Sequence, residues 1–341
     1  MADQSAEQRL LAAAGEGDEA TVRQLLEGAE DIAKYQEEEE GASALILAAK
    51  QGHASIVKLL LEAGAPWNAL DRRGNCAGDY AMNEGHQEAY EVLLNAAVQA
   101  ELVLGALQRR ARSGAEASNS GYLQERVKYD DDKLLDAESN GVMMEWERPL
   151  MESHAQAVCF SGGDVLNVGF GMGLVDTAIQ KRNPKSHTII EAHPGVYEKM
   201  LKDGWDKKPG VRICFGRWQD VLPQLGRFDG IFFDTFGEYY DDLREFHAHL
   251  PKLLRPGGIY SFFNGLCADN AFFHVVCCQL VQLEMARLGF ETTFVPLPVN
   301  SAVGDEVWEG VKLKYWQLDA YFLPVCQYED NDVEGKSSQQ T

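Results

Sequence analysis

Val165 to Gln180 reads VLNVGFGMGLVDTAIQ. The pattern is that of a buried strand, then a glycine turn, then an amphipathic helix. Such a junction brings backbone N–H groups and a helix N-terminus close to a ligand. Gly169, Gly171 and Gly173 give G-x-G-x-G, where a dinucleotide fold wants its third glycine one place later. An acid should end the next strand to bind ribose hydroxyls, and Glu191 lies 22 residues past Gly169. On this spacing alone the ligand is a nicotinamide cofactor or S-adenosylmethionine.

From Asp164 onward strand and helix patterns alternate. Strands are predicted at DVLNVGF, HTIIEAH, VRICF, FDGIFFD and GGIYSFFN, with helices such as GVYEKMLKDGW and DLREFHAHLPKLL between them. These strands are almost wholly apolar, as expected where both faces of a parallel sheet are covered. FETTFVPLPVN and VKLKYWQLDAYFLPV close the chain as two β-rich runs. The expected fold is α/β: a mainly parallel, doubly wound sheet ending in an antiparallel pair. FDGIFFDTF puts Asp234 at the carboxyl end of the fourth strand, where open α/β sheets place their chemistry. Asp234 could also merely cap the following helix.

The 341 residues hold 53 acids against 31 lysines and arginines, a net charge of −22. That balance argues against nucleic acid as a partner and suits a basic protein substrate. No apolar segment reads as a signal peptide, and no run reaches the roughly 18 apolar residues of a membrane span. Seven cysteines without metal-ligand spacing imply free thiols in a reducing compartment. His247 and His249 read as ordinary helix residues, with no third ligand to suggest a metal. A cytoplasmic monomer is expected, with nuclear entry open.

The N-terminal third is repetitive. Gly52-His53 and Gly85-His86 recur 33 residues apart, the period of a helical hairpin plus β-turn. ASALILAAKQGHASIVKLLLEAGAPWNALDRRGNCAGDYAMNEGH resembles ankyrin repeats almost position by position, and LLAAAGEGDEATVRQLLEGA is a more degenerate copy. Two to three repeats are expected over residues 1–107, docking through AYEVLLNAAVQAELVLGAL because so short an array leaves apolar faces bare. Residues 108–121 read as a linker, 122–328 as the second domain and 329–341 as a disordered tail.

Five ordered motifs narrow the second domain: GVMMEWERPLM, VLNVGFGMGLVDTAIQ, HTIIEAHPGVYEKM, GRWQDVLPQLGRFDGIFFDTF and LLRPGGIYSFFN. The last resembles class I S-adenosylmethionine-dependent methyltransferases. Together they resemble the guanidinoacetate methyltransferase family and, with the repeats, its ankyrin-bearing relatives, the protein arginine N-delta (type IV) methyltransferases. The resemblance implies S-adenosylmethionine as cofactor and an arginine-containing protein, a ribosomal protein among the candidates, as substrate. A small-molecule guanidino methyltransferase and a non-catalytic ankyrin adaptor are the alternatives. Asn167 stands where methyltransferases commonly carry an acid, and LCADNAFFHVV departs from the loop the small-molecule enzymes wrap around a substrate carboxylate.

By the same resemblance Glu147 and Asp234 grip the guanidinium, fixing its plane and leaving a lone pair on the attacking nitrogen. Gly169, Phe170, Gly171, Met172, Gly173, Leu174 and Val175 would line the methionine part of the cofactor. Glu191 would bind the ribose, Ala192 and His193 the adenine edge, and Arg217 and Trp218 would close over the base. Tyr122, Tyr129, Met143 and Met151 belong to a segment expected to fold over the site. Composition alone also permits a solvated helix start at Glu147 and core packing for Met143 and Met151.

Overall fold

The computed structural model describes residues 5–28, 31–111, 119–299 and 304–329, and the chain divides into two units. The first unit comprises Met1–Ser113 together with Asp269–Leu280; the second comprises Gly114–Ala268 and Val281–Thr341.

Six helices build the first unit in pairs: α1 (Ala6–Glu16) with α2 (Glu19–Gly28), α3 (Ala44–Lys50) with α4 (Ala54–Glu62), and α5 (Ala77–Asn83) with α6 (Gln87–Ala111). The Gly-His period is a stacking device. Gly17 and Gly52 take positive φ between the helices of a pair, and a Cβ there would fall 2.8 and 2.6 Å from the His53 and His86 rings. His53 Nε2 lies 3.3 Å from Gly15 O, and His86 Nε2 lies 3.1 Å from Lys50 O, so each histidine ties its repeat to the one before. Helix α6 runs four residues into the stretch read as a linker, because its alanine- and leucine-rich sequence carries no stop signal before Arg112. Residues 112–118 of that stretch, and the tail after Glu329, lie outside the described residues.

What covers the last repeat is not the distal part of α6, where Val103 and Leu104 stand exposed. It is the segment from Asp269. Asp79 accepts from Asn270 Nδ2 at 2.7 Å and from the Phe272 amide at 3.1 Å. The Phe272 ring presses on Gly78, where a Cβ would clash at 2.2 Å, and meets the Trp67 and Tyr90 rings at 6.4 and 5.9 Å. The stretch LCADNAFFHVV is therefore spent in part on capping the repeats.

The second unit opens with a small antiparallel sheet, β1 (Lys128–Tyr129), β2 (Lys133–Leu135) and β3 (Gly141–Met144), followed by α7 (Arg148–Val158). Then come β4 (Asp164–Val168), α8 (Leu174–Lys181), β5 (Ser186–Glu191), α9 (Pro194–Lys202), β6 (Val211–Phe215), α10 (Trp218–Val221) and β7 (Phe228–Phe233). Helices α11 (Tyr240–His247) and α12 (Leu250–Leu253) lead to β8 (Leu254–Phe262), then α13 (Ala271–Arg287), whose residues up to Leu280 belong to the first unit, β9 (Phe290–Pro298) and β10 (Ala320–Tyr328). The main sheet has the order β6-β5-β4-β7-β8-β10-β9. Strands β4 to β8 pair in parallel, and β10 runs antiparallel to both β8 and β9. This is the class I methyltransferase arrangement expected from the alternation, with the antiparallel strands at the end of the chain.

One β-rich run behaves otherwise. Residues 311–319 of VKLKYWQLDAYFLPV are not strand, because their backbone bonds elsewhere: Lys312 N donates to Ser139 O at 2.8 Å and Gln317 N to Ala268 O at 2.9 Å. Trp316 is buried with Trp146, Trp308 and Tyr321 in a core of their own. Two larger cores cover the two faces of the sheet, one around Phe233, Phe246 and Phe262, the other around Val165, Ile179 and Phe232. Among the described residues no helix is long and apolar enough to cross a membrane, and no group of three His, Cys, Asp or Glu is placed to hold a metal.

Candidate active site

The sheet register decides where the acids fall. Val168 pairs with Ile190 on one side and Phe233 on the other. The residues just past these partners, Glu191 and Asp234, therefore flank Gly169 at the point where strand order reverses. The turn needs its glycines. Gly169 has φ of 94°, and a Cβ on it would lie 1.7 Å from Asp234 O. Gly171 and Gly173 also take positive φ, and their Cβ positions are filled by Met143 and Phe170. Asn167, fully buried, donates to Gly169 O at 2.8 Å and to both oxygens of Asp176 at 2.9 and 3.0 Å. The residue that departs from the common methyltransferase acid thus braces the turn from below.

A cleft of about 590 Å³, open solvent included, lies over this edge. Of the residues proposed from sequence, Tyr122, Met143, Gly169, Phe170, Gly171, Glu191, Ala192, Arg217, Trp218 and Asp234 line it. Met172, Gly173, Leu174 and Val175 do not; Met172 precedes α8, Gly173 is its N-cap, and Leu174 and Val175 are buried in its first turn. Nor does Met151, which is wholly buried on α7. Tyr129 braces instead of lining: its hydroxyl donates to Gly171 O at 3.0 Å. His193 caps α9, its Nδ1 accepting from Gly195 N at 3.1 Å, and backs the Tyr122 ring at 4.7 Å between centroids. Burial lowers its pKa, which keeps Nδ1 an acceptor.

Sequence reasoning missed Asn119, Thr235, Phe236 and Glu238. Glu238 accepts from Trp218 Nε1 at 3.0 Å, from Thr235 Oγ1 at 2.6 Å and from Asn119 Nδ2 at 3.3 Å, and burial raises its pKa. Its three donors come from separate stretches of chain, so no spacing rule could have found it. A second hollow, of about 770 Å³ with open solvent, shares Asp234, Thr235 and Glu238 with the cleft and adds Phe233, Tyr239 and Phe263.

The cleft's residues fit S-adenosylmethionine. The glycine bend leaves room that any side chain would fill. Glu191 already accepts from the Phe170 and His193 amides at 2.9 and 2.6 Å, and a carboxylate has lone pairs left for two hydroxyls. Arg217 Nε and Asn119 Oδ1 are buried without a hydrogen-bond partner among the described residues, a donor and an acceptor at the cleft that a polar ligand would satisfy.

Glu147 reaches the site by a different route. Gly230 of β7 has no Cβ, which lets the Val158 carbonyl at the end of α7 lie directly on the strand; a Cβ there would clash at 1.9 Å. From Val158 back to Glu147 is eleven residues of helix and 3-10 turn, at least about 16 Å at 1.5 Å per residue. From Gly230 forward to Asp234 is four strand residues, about 13 Å. Glu147 comes close enough to Asp234 for the two charges to interact. Glu147 is 3% exposed, which rules out the solvated helix start, whereas Glu145 pairs with Arg148 at the surface. Glu147 Oε1 accepts from the Met144 amide at 2.9 Å and from the Tyr315 hydroxyl at 2.5 Å. Burial, then the neighbouring Asp234 charge, push its carboxyl up to about 8 against those two bonds. Asp234 is pushed up to about 7 by burial. It is not a helix cap: α11 starts at Tyr240, capped by Asp242 on the Tyr239 amide.

Comparison with known proteins gives the family. The family model described as guanidinoacetate N-methyltransferase matches residues 112–274, and the model for ankyrin repeats (3 copies) matches 10–102. Proteins named protein arginine N-methyltransferase 2 align along most of the chain. The one from Cryptococcus neoformans var. neoformans is 35% identical over 94% of both chains. That from Aspergillus oryzae is 36% identical over 81% of this chain and 78% of its own. That from Saccharomyces cerevisiae is 33% identical over 79% and 76%. The chain belongs to the protein arginine N-methyltransferase 2 family. Matches to ankyrin repeats and to a guanidinoacetate-methyltransferase domain are both present in this chain.

Proposed function

We propose that this protein transfers a methyl group from S-adenosylmethionine to the internal, delta nitrogen of arginine in a protein substrate. The observation that carries the reading is a pair of neighbouring carboxyls, buried Glu147 and half-buried Asp234, each held above its ordinary pKa, with Asp234 lining the cofactor cleft. Two acids that resist ionising together are a receptor for one cation: a guanidinium between them relieves both the repulsion and the burial penalty.

Glu191, Arg217, Asn119 and the Gly169–Gly171 backbone would hold the cofactor. When bound, S-adenosylmethionine supplies an electrophilic methyl group on a sulfonium. The acids do the rest. By bidentate pairing they fix the guanidinium plane and draw its positive charge toward the nitrogens they contact, which leaves lone-pair density on the third. Asp234, titrating near neutrality, takes the proton released on methylation. Tyr122 and Phe236, in contact at 4.8 Å, help keep water from the cleft. The delta nitrogen follows from the chemistry of guanidinoacetate, whose methylated nitrogen carries the carbon chain; in a peptidyl arginine its counterpart is the delta nitrogen. The type IV resemblance supports a ribosomal protein as the substrate. The net charge of −22 and the ankyrin unit support docking of a basic protein.

The test is methyl transfer from isotopically labelled S-adenosylmethionine to a hypomethylated ribosomal protein fraction and, in parallel, to guanidinoacetate. Mass spectrometric fragmentation should place the label on the delta nitrogen of an arginine. The match of the methyltransferase domain to the guanidinoacetate model favours the second reading, a small-molecule guanidino methyltransferase. Label on guanidinoacetate and none on protein would establish it in place of the first.

A further inference from the structure

Residues 308–316, between β9 and β10, pack against the segment that carries Glu147. Lys133 of β2 donates its Nζ to Glu309 O at 2.7 Å, and the Lys312 amide donates to Ser139 O at 2.8 Å in the β2–β3 turn. The Trp146 ring, one residue before Glu147, meets Trp308, Tyr315 and Trp316 at 6.1, 6.0 and 6.2 Å. Tyr315 packs edge-on to Trp308 at 4.8 Å and sits against Gly141, where a Cβ would lie 2.9 Å from its ring. So held, its hydroxyl donates to Glu147 Oε1 at 2.5 Å.

Both donors to Glu147, the Tyr315 hydroxyl and the Met144 amide, fall on Oε1. No hydrogen bond reaches Oε2 among the described residues. We infer that Tyr315 is a positioning residue for the reaction: it binds one oxygen of Glu147, fixes the carboxylate's orientation and leaves the other oxygen for the acceptor cation. The inference rests on Glu147 as a guanidinium-gripping group. A phenol that donates to a carboxylate also favours its ionised form. The charged and titratable groups facing Glu147 are Asp234, which opposes ionisation, and Tyr315, which supports it; the Glu145–Arg148 pair on its own element lies at the surface.

Tyr315→Phe keeps the ring and removes the bond. An infrared pH titration of the full chain, with Glu147→Gln identifying the carboxyl band, should show that band titrating about one to two pH units higher in the variant. The acid limb of methyl transfer to the hypomethylated ribosomal protein fraction should move upward by the same amount. Raising the pH should then recover most of the lost kcat/KM, while S-adenosylmethionine affinity stays unchanged by calorimetry. Should the phenylalanine variant lose cofactor binding, difluorotyrosine at 315 serves instead: its more acidic phenol donates more strongly and should move band and limb downward. A Glu147 band that stays in place in these variants overturns the inference. Failure of the parent reading looks different: Glu147→Gln would then methylate at the wild-type rate.

Discussion

Replacing Glu147 by Gln should make the folded protein more stable, and the gain should grow with pH. The carboxyl titrates at about 8 in the fold against an ordinary 4.5 in an open chain. An acid whose folded pKa is raised binds more protons folded than unfolded, so stability falls as pH rises from the unfolded value through the folded one. At about 1.36 kcal/mol per unit, the penalty grows from about 1 kcal/mol at pH 5 to about 4 kcal/mol at pH 8, then levels off. Glutamine keeps the shape and still accepts from Tyr315 and Met144, but carries no charge to neutralise. The assay is urea unfolding of wild type and Glu147→Gln across pH 5 to 8, followed by fluorescence from Trp146 and its neighbours. Two lines diverging by about 3 kcal/mol toward high pH are expected, with transfer activity lost in the variant. Parallel lines, or a variant that is less stable at pH 8, would refute the electrostatic account of this site.

Under the proposed function Asp234→Asn should leave cofactor affinity largely intact while cutting turnover at least about a hundredfold, as expected of a group acting on the reacting nitrogen; wild-type turnover would remove it from that role. Gly169→Ala should abolish S-adenosylmethionine binding and lower the melting temperature of the second unit, because the added carbon would fall 1.7 Å from Asp234 O at a φ of 94°. Calorimetry showing normal binding would contradict that. Phe272→Ala removes a fully buried ring from the end of the repeat stack and should cost the first unit about 3–5 kcal/mol, read as faster amide exchange in α5. Unchanged exchange there would mean the repeats need no such cap.

The parallel strands were legible because each is an apolar run bounded by turn residues, a pattern that both-face burial imposes. The Gly-His period was legible because it is one interaction repeated at a fixed spacing. Glu191 and Asp234 could be named in advance because sheet register places strand-end residues without any side-chain detail. Met151 shows the limit: a methionine near a site and one in a core look alike in sequence, and here α7 turns it inward. Tyr315 shows a stronger one. Its partner lies 168 residues away, and an aromatic inside an alternating run reads as strand until the backbone's own bonds are known. Glu238 was hidden because FGEYYDD has the acidic composition of any helix start.

The acids of the second unit separate by what surrounds them. Asp176 is tied to Asn167 and lies 3.1 Å from His187 Nε2, so it braces the glycine turn. Glu238 holds three donors and fixes the wall of the cleft. A buried carboxylate that serves the fold is enclosed by donors, because an unsatisfied one costs too much to keep. Asp234 differs in being half-buried on the cleft wall, where no protein hydrogen bond reaches its carboxylate among the described residues. Glu147 breaks that rule on one oxygen only. A fold gains nothing from such a pair and loses stability at neutral pH. Under the proposed function the unused acceptor sites are where a guanidinium, a planar cation with several N–H groups, would supply the missing donors.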